Sequence, residues 1–386
     1  MLALRSVRAA AAATASAVTS ADAAASSSAA SSSARGKATA AAQPRALDDA
    51  DEARRRPGGA PRGDQHQELL DQLQAREVRI PVPWGHIAGV WWGRTDRRPL
   101  VALHGWGDNA GSFERLAGSL RGVPVLALDL PGHGLSSATP RGLHPADRGL
   151  LLAAVRRVQR ALGLTALSLV GHSLGDAVGL LYAATYPTDV DMYVSLDTLV
   201  PCPADADAVV KSSGPLVDEL LEAEDALGQK AKSSSSSAAS GEELLEALLA
   251  SRGGSLNRHA AETLLRRGAR GGALTLDPRV ARADGGVLPA PLALACARSV
   301  RCPTLAVLPQ WRGPRALTAD PELRHRFLAD LRMASKSATA VAVAGTHHAH
   351  LNCPEVVVPA LREFLLQHRT RAHDEQGVPD VGRLTA

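Results

Sequence analysis

Short apolar runs alternate with segments of helical periodicity along much of the sequence. Runs such as Pro99–Leu103 and Val123–Leu128 have the length of buried strands. Ala146–Leu162 instead repeats its apolar residues every three or four positions, which gives a helix one apolar face. Strands that alternate with helices predict a mostly parallel sheet covered by helices on both faces. The other predicted strands are Glu77–Val82, Ile87–Trp92, Ala166–Val170, Asp191–Leu196, Pro303–Leu308 and Ala338–Ala344, and the other helices of this pattern are Asn109–Leu120, Leu174–Tyr186, Pro321–Met333 and Pro354–His368.

The alternation stops in the middle of the chain. Residues 201–301 contain the helical segments Leu216–Ala226, Glu242–Ala250 and Ala260–Arg267, interrupted by the polar tract Ser233–Ser240. A serine-rich tract of this kind is typical of a disordered loop. We interpret 201–301 as a helical cap inserted between the sixth and seventh strands of a core formed by residues 66–200 and 302–370. Residues 371–386 are then a flexible tail.

The N-terminal segment has a different composition. Residues 1–65 are rich in alanine and serine, and Met1–Ala42 contains four basic residues and one acid. Such a composition fits an organellar transit peptide as well as a disordered extension. We expect an intracellular protein, cytoplasmic or alternatively mitochondrial or peroxisomal, although the final Leu384–Thr385–Ala386 is not a Ser-Lys-Leu peroxisomal address.

Composition narrows the class of protein. The 386 residues are 45% hydrophobic, enough for a sizeable core. The net charge of +4 is not concentrated into a nucleic-acid-binding patch. Four scattered cysteines are typical of a reducing compartment. No stretch approaches the roughly 20 strongly apolar residues of a membrane span. We therefore expect no nucleic-acid partner and no transmembrane segment.

The most informative motif follows the run Ala166–Val170. Gly171–His172–Ser173–Leu174–Gly175 has the form G-x-S-x-G at a predicted strand-to-helix junction. The glycines allow a sharp turn that exposes the Ser173 hydroxyl at the mouth of the sheet. The N-terminus of the following helix directs N–H groups towards an oxyanion formed there. The motif predicts Ser173 as a nucleophile.

A second loop supplies a candidate oxyanion donor. Pro99–Leu103 ends in His104–Gly105–Trp106, where the N–H of Trp106 lies opposite that of Leu174 in the predicted fold. Each such donor contributes roughly 3–4 kcal/mol to the transition state in comparable sites. We interpret His104 as a turn-packing residue. Asp129 and His133 follow the next strand and are predicted to hydrogen-bond loop backbone.

The general base should lie downstream, after the last strand. Three histidines, His347, His348 and His350, follow Ala338–Ala344 and precede a helix predicted from Pro354. Activation of a serine needs one imidazole that a carboxylate orients. His347 is preferred because it comes soonest after the strand, with His348 and His350 left as alternatives. A histidine cluster also suggests a metal, but no second cluster has ligand spacing. We expect no metal and no cofactor.

These segments together resemble the α/β-hydrolase superfamily and, within it, the serine hydrolase-like protein family. The string Val82–Pro83–Trp84–Gly85–His86–Ile87–Ala88 is the most discriminating part. The resemblance implies an α/β-hydrolase fold and a serine nucleophile, and it implies no natural substrate. The other matching segments are Leu103–Trp106, Asp108–Asn109, Ser112–Phe113, Gly132–Ser137, Gly171–Gly175, Leu196–Thr198 and, near the end, Gly345, His347, His350, Asn352 and Pro354.

Two features depart from the family pattern. Asp176 stands where such proteins usually carry a small residue, and a carboxylate there could disfavour an oxyanion. The loop after Pro303–Leu308, which often supplies the triad acid, contains no acid until Asp320. Asp197, at the end of Asp191–Leu196, is the other established location. Asp197 is the preferred triad acid because it follows its strand directly, and Asp320 is the alternative.

The leading hypothesis is a serine hydrolase that cleaves a small carboxylic ester or thioester through an acyl-enzyme. The second is a catalytically weak or inactive hydrolase-fold protein that binds a ligand, motivated by Asp176 and the acid-free loop. Dehalogenase and epoxide hydrolase chemistry normally uses an aspartate nucleophile, which Ser173 disfavours. The sequence indicates neither the acyl length nor the oligomeric state.

Overall fold

The computed structural model describes residues 75–198, 206–230, 239–280, 288–311, 321–369 and 378. The N-terminal segment 1–65, most of the Ser233–Ser240 tract, the tail 371–386 except residue 378, and Asp320 lie outside these ranges. Within them, no helix is long and apolar enough to cross a membrane.

A single eight-stranded sheet organises the core. Its order is β1-β2-β4-β3-β5-β6-β9-β10, where β2 pairs antiparallel with β1 and β4 and the remaining neighbours pair in parallel. β7 and β8 form a separate antiparallel pair. In chain order the strands are β1 (Arg76–Val82), β2 (Gly85–Trp92), β3 (Leu100–Leu103), β4 (Val125–Leu128), β5 (Leu167–His172), β6 (Val190–Leu196), β7 (Ala269–Arg270), β8 (Ala273–Leu274), β9 (Thr304–Pro309) and β10 (Ala338–Val343).

The central strands β3, β4 and β5 are buried on both faces of the sheet. Alternate residues of a strand point to opposite faces, so Val101 and Leu103 of β3 pack in one apolar cluster while Leu100 and Ala102 pack in another. The mostly parallel sheet with helices on both faces is confirmed. The α-helices are α1 (Glu114–Ser119), α2 (Arg148–Ala161), α3 (Leu174–Thr185), α4 (Ala206–Lys230), α5 (Gly241–Ser251), α6 (Arg258–Gly268), α7 (Ala290–Ser299), α8 (Pro321–Ala334), α9 (Ala349–Asn352) and α10 (Val358–His368).

Two helices predicted as continuous are divided. Asn109–Leu120 begins as a 3₁₀ turn, Ala110–Phe113, because the Asn109 side chain accepts a hydrogen bond from Gly111 N and the Ala110 N–H donates to Asp129. Pro354–His368 likewise begins as a 3₁₀ turn before α10. The short helix α9, which begins directly after His348 and contains His350, has no counterpart in the sequence-based prediction.

Three helices of the insertion between β6 and β9, α5, α6 and α7, pack in two different places. α5 and α6 pack on each other in a small apolar cluster of their own with Leu351. α7 was not predicted and lies within 201–301, but Ala293 and Leu294 belong to the main cluster under the sheet. The cap over 201–301 stays a prediction, and α7 at its end packs with the core rather than with α5 and α6.

Candidate active site

The turn between β5 and α3 is strained. Ser173 has φ 54° and ψ −114°, in the left-handed half of backbone space that side chains rarely adopt. A Cβ on Gly175 would stand 2.0 Å from the Leu103 carbonyl oxygen, and one on Gly171 would stand 2.5 Å from the Gly175 carbonyl oxygen. Both flanking positions therefore require glycine, as the motif predicted. Ser173 itself is half-buried between buried neighbours.

His347 and Asp197 meet in the structure. The His347 Nδ1–H donates a hydrogen bond to Asp197 Oδ2, which leaves Nε2 as the acceptor nitrogen of the ring. Both side chains keep some exposure, 14% for His347 and 16% for Asp197. Asp197 also has a positive φ, 74°, directly after β6. Of the two candidate acids, Asp197 pairs with His347, and Asp320 lies outside the described residues.

His172 contacts the loop that carries His347, a role that sequence reasoning did not predict. It occupies the variable position before Ser173, and its Nε2–H donates to the His347 carbonyl oxygen over 3.0 Å. Their rings lie 4.6 Å apart between centroids. Burial, together with the neighbouring histidines, holds the pKa of His172 well below its usual range. A neutral His172 thus fastens the loop that carries His347 to the serine turn. Only its position beside Ser173 could have suggested this role.

The other two histidines of the cluster are buried and hydrogen-bonded. His348 lies between Asp108 Oδ2, 3.2 Å from its Nε2, and Ser255 Oγ, 3.0 Å from its Nδ1. His350 Nε2 is 2.9 Å from Ser112 Oγ. Burial lowers the pKa of His348, and lowers that of His350 to about 3. These contacts favour packing roles for the two alternatives to His347.

Asp108 is the centre of a buried polar cluster that we call the Asp108 cluster, formed by Asp108, His172, His348 and Arg252. Asp108 Oδ1 accepts from Arg252 over 2.9 Å, and His172 Nδ1 is 3.8 Å from Oδ2. Burial acts to raise the pKa of Asp108, but Arg252 and His348 hold it below its usual range.

The same cluster is the one group of at least three potential metal ligands that the described part of the chain contains. One ligand atom each from Asp108, His172 and His348 lies within 4.8 Å of the others. The Arg252 guanidinium on Asp108 already supplies the neutralising positive charge and repels a divalent cation. The expectation that the protein binds no metal remains a prediction.

The β3 loop is fastened to the serine turn through its backbone. Gly175 N–H donates to the His104 carbonyl oxygen over 3.0 Å, and Leu130 N–H donates to His104 Nε2 over 3.0 Å. His104 therefore packs the turn, two residues before Trp106. The Trp106 indole donates to the Val280 carbonyl oxygen over 3.1 Å, which ties this loop to the insertion. Trp106 and Leu174 remain the proposed oxyanion donors.

Asp129 has the structural role expected of it. Its carboxylate accepts from the Ala110 and Leu135 N–H groups over 2.7 and 2.8 Å. Sequence reasoning did not anticipate its ion pair with Arg267 of α6, which also contacts Glu77. Buried charge pairs of this kind dock the insertion on the core. His133 packs against Trp106, with ring centroids 5.6 Å apart.

An apolar cavity opens beside the serine turn. It is an open recess whose volume of about 300 Å³ includes the solvent at its mouth, and one wall is the α3 stripe that begins at Leu174 and includes Val178 and Leu181. Leu151 of α2 and Leu288 of the insertion face this stripe. The cavity has a predominantly apolar lining next to one proposed oxyanion donor.

The fold and the turn identify the class of protein. A family model described as the α/β-hydrolase fold matches residues 98–248. The sheet order, with the strained serine between β5 and α3, agrees with that description. The chain is an α/β hydrolase.

Comparison with known proteins narrows the class further. A probable serine hydrolase of Drosophila melanogaster is 33% identical over 77% of this chain and 90% of its own length. A serine hydrolase-like protein of Mus musculus is 33% identical over 77% of this chain and 98% of its own. The crystal structure of a hypothetical protein from Pseudomonas aeruginosa matches with a TM-score of 0.60 at 32% identity, over 75% of this chain and 99% of that one. The chain therefore belongs to the serine hydrolase-like family of α/β hydrolases.

Proposed function

We propose that this hydrolase uses Ser173 as a nucleophile to cleave a carboxylic ester or thioester through an acyl-enzyme. The observation that carries the proposal is the hydrogen bond from His347 Nδ1–H to Asp197, on the loops that follow β10 and β6. This bond presents Nε2 as the basic nitrogen, the tautomer that a serine nucleophile needs. The strained backbone of Ser173 supports the same role.

The reaction proceeds in two halves. In the first, Ser173 Oγ attacks the substrate carbonyl while His347 Nε2 takes the hydroxyl proton, and Asp197 stabilises the imidazolium. The amides of Trp106 and Leu174 bind the oxyanion. When the intermediate collapses, the C–O or C–S bond breaks and the imidazolium gives its proton to the leaving alcohol or thiol. In the second half, water loses a proton to His347 as it attacks the acyl group, and Ser173 leaves with that proton restored.

The apolar cavity beside Leu174 supports an apolar acyl group as the part of the substrate that is bound. Its lining offers few polar partners, so binding there comes from burial of hydrocarbon. An ester or thioester with a short or medium apolar acyl chain is therefore the proposed substrate class.

Covalent labelling tests the nucleophile directly. A fluorophosphonate should modify the wild-type protein at Ser173, and Ser173→Ala should lose both labelling and turnover of short acyl esters. Ser213→Ala is the matched control, because Ser213 is an exposed serine on α4. Labelling that persists in Ser173→Ala, or a folded wild type that resists the reagent, contradicts the proposal.

A second candidate function is ligand binding without catalysis. The observation that favours it is Asp176, a buried carboxyl three residues after Ser173. In that case the wild type and Ser173→Ala bind acyl ligands equally, and neither turns them over. Turnover by the wild type alone excludes it.

A further inference from the structure

Asp176 is a buried carboxyl at the start of the helix that follows the nucleophile. It lies in the first turn of α3 and is 1% exposed. Its Oδ2 accepts a hydrogen bond from Ser195 Oγ over 2.8 Å, and its Oδ1 contacts the Tyr193 hydroxyl. Among the residues that the structure describes, no cation forms an ion pair with it. Burial of an ionised carboxyl without a cation is costly, whereas a neutral carboxyl needs only hydrogen bonds.

The hydrogen bonds around Asp176 can be satisfied completely by a neutral acid. The Tyr193 hydroxyl carries one proton and lies 2.8 Å from the Asp176 backbone carbonyl, to which it donates. The same hydroxyl also faces Asp176 Oδ1 as a donor. It has one proton for the two oxygens, so both contacts are full hydrogen bonds when the carboxyl carries a proton of its own. Ser195 donates to the other carboxyl oxygen. An ionised Asp176 would have to take the proton of Tyr193 away from the backbone carbonyl.

Burial is the main cause that favours the neutral form. It raises the pKa of Asp176 to about 7, and the negative charge of Asp197 acts in the same direction, whereas the hydrogen bonds from Tyr193 and Ser195 act to lower the pKa. The thiols of Cys296 and Cys302 act on Tyr193, and burial raises the pKa of these thiols to about 11 and about 12. Both thiols therefore stay neutral near neutral pH and add no negative charge beside Tyr193.

The position of Asp176 connects two parts of the active site. Tyr193 and Ser195 belong to β6, and β6 leads directly into Asp197. Asp176 belongs to α3, which begins directly after Ser173. A neutral Asp176 thus ties the helix of the nucleophile to the strand of the triad acid. An ionised Asp176 adds a negative charge within the first helical turn after Ser173.

We propose that Asp176 is a positioning residue that acts as a neutral acid, and that its ionisation above neutral pH slows acylation of Ser173. The inference rests on the proposed function. The negative charge opposes the oxyanion, and it draws the Tyr193 proton away from the Asp176 backbone carbonyl. The activity therefore falls at alkaline pH because Asp176 ionises, and not because a residue of the proposed triad does.

The test is the pH dependence of kcat for a short p-nitrophenyl ester, measured on the full chain. We expect the kcat of the wild type to fall by about tenfold between about pH 7 and about pH 9. Asp176→Asn has nearly the same shape and no ionisation, so its kcat should stay level, within about twofold, over that interval. Asp218→Asn, an exposed site on α4, is the matched control and should keep the wild-type profile.

Tyr193→Phe provides a second readout that a purely structural role would not give. It removes one hydrogen-bond partner of the carboxyl and leaves the carboxyl itself. The alkaline fall should therefore persist with its midpoint moved to higher pH, because the Tyr193 hydrogen bond acts to lower the pKa of Asp176. This variant also tests the inference about Asp176 if Asp176→Asn does not fold. An unchanged midpoint in Tyr193→Phe, or an alkaline fall of wild-type size in a folded Asp176→Asn, overturns the inference. If the wild type shows neither turnover nor fluorophosphonate labelling at any pH, the proposed function fails and the inference fails with it.

Discussion

Two aspartate–histidine pairs lie close together in this molecule, and they differ in their exposure and in the other partners of the carboxylate. Asp197 and His347 are held on loops at the sheet edge, and each keeps about one-seventh of its side chain exposed. Asp108 and His348 are buried, with 1% and 4% exposure, and Arg252 binds the same carboxylate. A paired aspartate and histidine is therefore not by itself a catalytic signature.

The difference between the pairs has a physical cause. The Asp108 carboxylate is neutralised by Arg252, and His348 is held on its other nitrogen by Ser255, so that pair has no atom left for a substrate. The Asp197–His347 pair has no such cation on its carboxylate among the described residues, and the exposure of His347 leaves its Nε2 accessible. We infer that accessibility and an unused nitrogen, rather than pairing, distinguish the reactive histidine.

The largest expected effect comes from breaking the exposed pair. Asp197→Asn should lower kcat by about 10⁴, because the neutral amide favours the wrong tautomer of His347. Thermal melting should change little, since both side chains are partly solvated. Steady-state kinetics with a short acyl ester measures the loss, with Asp320→Asn as the control. Normal turnover by Asp197→Asn together with inactivity of Asp320→Asn would move the triad acid to Asp320.

Breaking the buried pair should act on stability. Asp108→Ala leaves Arg252 and His348 without their shared partner, which for a buried ion pair costs about 3–5 kcal/mol. Chemical denaturation measures the free energy of unfolding. Asp96→Ala is the control, because Asp96 pairs with Arg94 at an exposed site. Loss of a similar size in both variants would show that burial is not the cause.

The smallest expected effect concerns Asp176, whose buried carboxyl has no cationic partner among the described residues. Because the pKa of Asp176 is raised to about 7, folding takes up a proton between the unfolded and folded pKa values. Its contribution to stability therefore falls as pH rises through that window and levels off above it. Relative to the wild type, Asp176→Asn should gain on the order of 2 kcal/mol between about pH 5 and about pH 8.

This gain is measured as the difference in unfolding free energy between the two proteins at each pH. Asp108→Ala serves as the opposite case, since the pKa of Asp108 is lowered and its contribution does not weaken over the same interval. A constant difference between Asp176→Asn and the wild type would mean that Asp176 is ionised throughout.

Elements with local signals were predictable. The predicted strands of the sheet lie within a few residues of their observed bounds. Short apolar runs bounded by turn residues are typical of strands that are buried on both faces. α7 was missed because it is rich in small residues, and its burial under the sheet depends on α3 and α8 rather than on its own periodicity. The first 3₁₀ turn, Ala110–Phe113, escaped prediction because a hydrogen bond to Asp129 holds its start, which helix propensity does not show.

The sequence alone determined the serine turn, since only glycine fits where strand and helix pass within van der Waals contact. It also determined the class of fold, which follows from the alternation of apolar runs and helical segments. Tertiary structure alone decided which aspartate meets His347, and it alone assembled the Asp108 cluster from the β3 loop, the serine turn, the insertion and the last loop. The reason is that local patterns depend on neighbours along the chain, whereas a charge pair depends on residues 150 or 240 positions apart being brought together.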